Sequence, residues 1–431
     1  MAMKVRNYSI LILISVILFN QPTSSIAQAK IKAGQNCYKL NEIKKVNQIS
    51  FVCSKSKSGK KWKVLENSSN KSNKEIEKNL KVDSRITSSN LLSDIKICKT
   101  IDLSSSSGNN GFPRPNSVIT KTKANILVLP IVFDDLPYTE KDFKSLSMAM
   151  EYVSKFFAKM SFGRFNLEVE YPSKELWVKM NKPAAEYGIF PNKPQQNNVA
   201  IVKDAINLAS PKIDFDKYDA VILESGYTEK TAIGQGFIGE TFKGQTGSAK
   251  GVTLQMGTAI GSPLIISHEL GHALFALEDL YIFLNSNRPS VPDPQPAGKW
   301  DLMSDNSGDF FAWNKYLMGW LRDEEVRCVT NQNESTHYLV NVNSESGEKL
   351  VLINLSQGVT IAIENRDDIY TTDHGLLVYK IDTNINHGNG PITANKKLLI
   401  KDGDSSQILN WSIELIAKDK SGSLFTIKKM Y

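Results

Sequence analysis

Apolar positions change their spacing along the chain, and each spacing predicts a different element. Residues 124–133, ANILVLPIVF, are apolar almost without a break, as in a strand covered on both faces. YDAVILES reads the same way. Between them, TEKDFKSLSMAMEYVSKFFAKM sets apolar residues at helical spacing behind Thr139, an N-cap candidate. RFNLEVEYP alternates like a half-buried strand, and NNVAIVKDAINLAS is helical again. Interleaved in this way, the elements predict an α+β domain over residues 118–325. Residues 326–431 change character. HYLVNVNS, KLVLINL, GVTIAIENR, GLLVYKID, KKLLIKDG, WSIELIAK and SLFTIKKM are short strand-like runs between Gly, Asn and Asp turns. They predict an all-β, sandwich-like domain.

The N-terminal part obeys neither pattern. Lys4 and Arg6 precede the apolar run YSILILISVILF, and small residues follow at Ala27 and Ala29. A basic start, a short apolar core and an A-x-A site predict a secretory signal peptide over residues 1–29. That places the protein outside the cell, secreted or on the cell surface, with no later transmembrane segment. Residues 30–66 alternate in short stretches around a Ser-Gly turn and predict a small β module. Residues 67–117 are rich in Ser, Asn and Lys and read as a linker. In an oxidising compartment the four cysteines predict two disulfides, Cys37–Cys53 inside the module and Cys98–Cys328 across the large domain. Residues 30–97 carry 16 Lys and Arg against 6 Asp and Glu. Such an arm suits anionic cell-envelope polymers, although a merely solvated tail has the same composition. An exported chain without a recognition motif is a poor nucleic-acid binder.

Chemistry concentrates in SHELGHALFALEDLY, residues 267–281. On a helix, His268 and His272 share one face. Two imidazoles four residues apart suit Zn2+, and Glu269 stands beside them without pointing at the same spot. Zinc acidifies a coordinated water, and Glu269 is placed to take its proton as it attacks a carbonyl. The competing reading is a core helix with satisfied histidines. It has to bury a His-Glu-His cluster among Leu, Ala and Phe, which is costly without partners. A third metal ligand is needed, and Glu278 and Asp279 are the nearest acids.

This stretch resembles the immune inhibitor A family of secreted bacterial metallopeptidases, a metzincin-like group with the motif H-E-x-G-H-x-x-G-x-P-D-L-Y. LVLPIVFDD, FFAKMSFGRFNLEVE, DFDKYDAVIL, GKWDLMS, AWNKYLMGWL and IENR…GLLVYKID resemble further segments of that family in the same order, over roughly residues 120–385. The resemblance implies a metzincin-like zinc peptidase domain that acts on protein or peptide substrates. In it His268 and His272 are zinc ligands, Glu269 is the base and Met303 packs beneath the metal. Phe275 stands where the family has Gly. Strict counting then puts the third ligand at Glu278, whereas keeping DLY in register puts it at Asp279, which the resemblance favours. Asp301, Asp305, Asn306 and Asp309 form a candidate Ca2+ set on the same ground, although solvated loop acids would look alike. Two other functions compete with a secreted zinc endopeptidase. One is a catalytically weak or inactive cell-surface binding protein that retains the fold. The other is a zinc hydrolase acting on a non-peptide substrate. The intact Glu269 favours an enzyme.

Overall fold

The computed structural model describes residues 43–46, 49–56, 59–64 and 94–431, the last range without 106, 190–196, 230–231, 258–260, 285–287, 289, 306–307, 331–332, 369–372 and 387. The expected signal peptide, the Cys37–Cys53 bond, linker residues 67–93 and Asn306 lie outside the described residues. The chain divides into two compact units, Met1–Ile86 and Thr87–Tyr431. In the first, β1 (Ile43–Val46), β2 (Ile49–Ser56) and β3 (Gly59–Val64) form an antiparallel meander.

The second unit is mixed α/β with a β-rich C-terminal region. Its central sheet runs β5-β4-β7-β11-β8, with β6 (Val178–Lys179) also on β4. β4 (Lys123–Val132), β5 (Asn166–Glu170), β7 (Ala220–Glu224) and β11 (Val252–Gly257) are parallel. β8 (Ala232–Gly236) closes the edge antiparallel to β11. β9 (Thr241–Lys243) and β10 (Ser248–Lys250) make a separate ribbon. The unbroken apolar runs of β4 and β7 follow from burial on both faces. Ile126, Val128 and Ile222 face one core, and Leu127, Leu129 and Leu223 face the other.

Helix α1 (Glu140–Met160) starts in a capping box: Asp142 N–H donates to Thr139 Oγ1, and Thr139 N–H donates back to the Asp142 carboxylate. α2 is Asn198–Ala209. α3 (Pro263–Phe275) opens with Pro at its first position, where a missing N–H costs nothing. Residues 266–275 of α3 are all buried, so its polar residues must find partners inside the protein. Two short helices follow, α4 (Leu302–Asp305) and α5 (Ala312–Leu317).

In the C-terminal region β12 (Val326–Val329), β14 (Leu350–Ser356), β15 (Val359–Asp367), β16 (His374–Asp382) and β17 (Ile392–Ala394) form one sheet in that order. β13 (Glu334–Val340), β20 (Gly422–Lys429), β19 (Trp411–Lys418) and β18 (Ser405–Ile408) form a second. Val351, Ile363 and Val378 of the first meet Ile413, Phe425 and Ile427 of the second. Leu350, Leu352, Leu377 and Tyr379 point the other way, into the core that holds α3 and α5. The five-stranded sheet is thus buried on both sides, which is why LVLINL and LLVYKI read as continuous rather than alternating. A disulfide joins Cys98 to Cys328 on β12, with Cα atoms 5.6 Å apart.

Candidate metal centre

α3 packs between β8 and α1 and carries His268, Glu269 and His272. A helix continuing past Phe275 would take Glu278 and Asp279 away from them. Instead Ala276 adopts a left-handed conformation, φ 53°, and turns the chain back. Ala276 N–H donates to His272 O and Leu277 N–H to Gly271 O, which satisfies carbonyls at the helix end. The returning chain puts Asp279 Oδ1 3.0 Å from His268 Nε2 and 3.3 Å from His272 Nε2. Glu278, also buried, points elsewhere: a Cβ on Gly108 would collide with its carboxylate. Of the two candidate acids, the structure brings Asp279 to the histidines.

Backbone carbonyls set both tautomers. His268 Nδ1 lies 2.9 Å from Leu302 O, and His272 Nδ1 lies 2.6 Å from Leu277 O. A carbonyl can only accept, so each Nδ1 carries the proton and each Nε2 presents a lone pair. Those two nitrogens are 3.1 Å apart. Two lone pairs and a carboxylate oxygen facing one another require a positive charge between them. In the metal-free protein a proton fills that need. Burial disfavours a charged His268, but the bond to Asp279 and the field of Glu269 prevail and push it up to about 9. Asp279 behaves in reverse: burial would raise it, yet its bonds to His268 and His272 hold it far below the usual carboxylate range. Zinc fits the same donors. Ligand atoms about 2.0–2.2 Å from a tetrahedral centre stand about 3.3 Å apart, and the spacings here are 3.0–3.3 Å.

Two neighbours, both glycines, have no counterpart in the motif. Gly234 and Gly236 of β8 lie against α3: a Cβ on Gly234 would sit 2.8 Å from Glu269 Oε1, and one on Gly236 2.7 Å from His272 Cβ. The Gly236 N–H also donates to the Glu269 carboxylate, whose pKa burial raises despite the two imidazoles. Their G-x-G spacing in a strand was the available signal, since glycine in a strand marks a close approach. The Tyr281 hydroxyl bonds to Asp279. Met303 is fully buried under the helix, and a Cβ on Gly271 would come within 2.9 Å of its sulfur.

Two of the candidate calcium acids, Asp301 and Asp309, turn inward instead. Asp301 accepts from Met303 N, Phe311 N and Asn314 Nδ2 at 2.7, 2.5 and 2.9 Å. Asp309 pairs with Lys315 at 3.0 Å and faces Arg366 at 3.7 Å. Asp305 closes α4. Of the other histidines, His337 and His374 sit in β13 and β16, away from this centre, and His387 is outside the described residues. Among the described residues, the cluster of His and acidic side chains able to share an ion gathers here, on His268, Glu269 and His272, and Asp279 Oδ1 stands closer to the two imidazoles than that wider grouping requires. No protein-family model matches the chain, and no curated protein matches it.

Proposed function

We propose that the protein is a secreted, metzincin-like zinc endopeptidase of the kind its resemblance to immune inhibitor A implies. The observation that carries this reading is the triangle of His268 Nε2, His272 Nε2 and Asp279 Oδ1, with sides of 3.0–3.3 Å and Glu269 beside it. Zinc bound there supplies Lewis acidity and a water of lowered pKa. Glu269 does the proton work. Burial raises its pKa above that of an ordinary carboxylate, and its place beside the imidazoles lets it take a proton from the attacking water and pass it to the leaving amine. β8 supports a peptide substrate. It pairs only with β11, so its outer edge is open among the described residues, and it runs directly beside Glu269. An extended peptide can add to such an edge as a further strand.

The test is casein hydrolysis by the protein with zinc, after chelation, and as Glu269→Gln. Chelation should abolish cleavage and zinc should restore it. Glu269→Gln should keep the metal and lose about 10²–10⁴-fold in kcat, because a base has been removed and not a ligand. Wild-type turnover in Glu269→Gln would end the proposal.

A further inference from the structure

A cleft of about 690 Å³ opens beside the start of β4, the turn after α1 and the segment after α5. None of the metal-centre residues lines it. Its walls hold Arg114, Lys121, Lys123, Arg164 and Arg322 against one acid, Glu168. We propose that this cleft binds a phosphate-class oxyanion, in the form of a small phosphate ester.

Two orphaned donors point to an acceptor-rich ligand. Trp320 is 3 % exposed and lines the cleft, yet its indole Nε1 has no hydrogen-bond partner. Arg114 Nε is likewise buried and unpartnered, although the same guanidinium donates to Tyr316 O at 2.6 Å and lies over the Phe112 ring. Buried N–H groups are rarely left without an acceptor. An acceptor beside five cations is favoured when it is itself anionic, and guanidinium groups suit phosphate oxygens in particular.

The basic side chains are not locked away by their own ion pairs. Lys121 pairs with Asp219 at 2.8 Å, Lys123 with Glu168 at 2.9 Å and Arg322 with Glu324 at 3.6 Å, and all three cations are more than half exposed. Such surface pairs are weak and exchange readily. Arg164 is the fixed member, held by Glu325 and by Trp320 O. Asp219, Glu324 and Glu325 do not line the cleft. Its volume exceeds that of a bare phosphate and falls within the range of small-molecule sites.

Calorimetric titration of the whole protein with inorganic phosphate and with glycerol 3-phosphate, at constant ionic strength, tests the assignment. Both should bind saturably, the ester at least as tightly, and added sodium chloride should weaken both. Trp320→Phe removes the indole donor, together with part of the ring's packing against Phe157 and Phe165, and should weaken binding about tenfold. Because Trp320 is also core, the exposed pair Lys121→Ala and Lys123→Ala provides a second measure, with a similar loss expected. No saturable binding by the wild type, or equal binding by wild type and double variant, would overturn the site. Chelated protein and Glu269→Gln should bind as the wild type does, so this result stands or falls apart from the peptidase reading.

Discussion

Glu278 and Asp279 are adjacent acids with different tasks. Asp279 closes a triangle with two imidazole nitrogens, while Glu278 packs against the backbone at Gly108. Asp279→Asn should therefore cut zinc affinity at least a hundredfold, whereas Glu278→Gln should change it only a few-fold; competition with a chromophoric chelator ranks them. The reverse order would transfer the ligand role to Glu278. A second residue-scale effect concerns His337. It is 8 % exposed, and burial, helped by the charge of Arg327, lowers its pKa to about 4. The unfolded chain binds this proton near pH 6.5 and the native state does not until about pH 4. The contribution is therefore intact above pH 6.5 and is lost as pH falls toward 4, by ~3 kcal/mol in all. Denaturant midpoints of wild type and His337→Leu, compared from pH 7 to pH 4, should diverge in that window; parallel curves would exclude the effect.

The site depends on where one helix stops. His268, Glu269 and His272 were legible because their geometry is local: i and i+4 on any α-helix share a face. The choice between Glu278 and Asp279 was open because the stop signal is unusual. Ala276 takes a left-handed conformation that normally belongs to glycine, and the helix ends one residue beyond the expected Gly position. Ala276→Val should thus destabilise the protein by about 2 kcal/mol or more and remove Asp279 from the metal, seen as a joint loss in denaturant midpoint and zinc affinity. A variant with both values unchanged would mean that the bend is set elsewhere. The roles of Gly234 and Gly236 stayed hidden for another reason. Their significance lies in which helix crosses β8, and strand neighbours are a property of the folded sheet rather than of a local run.

At the scale of the molecule, the β-rich region helps to hold the site. Glu364 of β15 accepts from Ala312 N at 2.7 Å, from Tyr379 OH at 2.8 Å and from Arg366 at 2.9 Å. Arg366 also faces Asp309, whose carbonyl accepts from Leu302 N at 2.6 Å. Leu302 in turn offers the carbonyl that orients His268. None of this was visible in the strand-like runs of residues 326–431, which give the region's fold but not its charges' partners. Arg366→Met should leave the buried Glu364 carboxylate without a cation, while Asp309 keeps Lys315, at about 3–5 kcal/mol, and loosen zinc in the protein that still folds. Equilibrium unfolding together with zinc titration checks both effects. A stable variant with wild-type zinc affinity would show that the β-rich region merely adjoins the centre.

The Cys98–Cys328 bond spans a sequence separation of 230 residues, and those residues include the loop in which Pro292, Pro294 and Gln295 are exposed. A protease that cuts this loop produces two fragments in sequence but one object in solution. The halves stay tethered, with β12 still anchored beside the segment that starts at Cys98. On the proposed reading, a peptidase working among other peptidases would thereby survive a nick, its own included. Electrophoresis would show two bands after reduction and one before it, and the nicked form would go on turning over substrate until the thiols were freed.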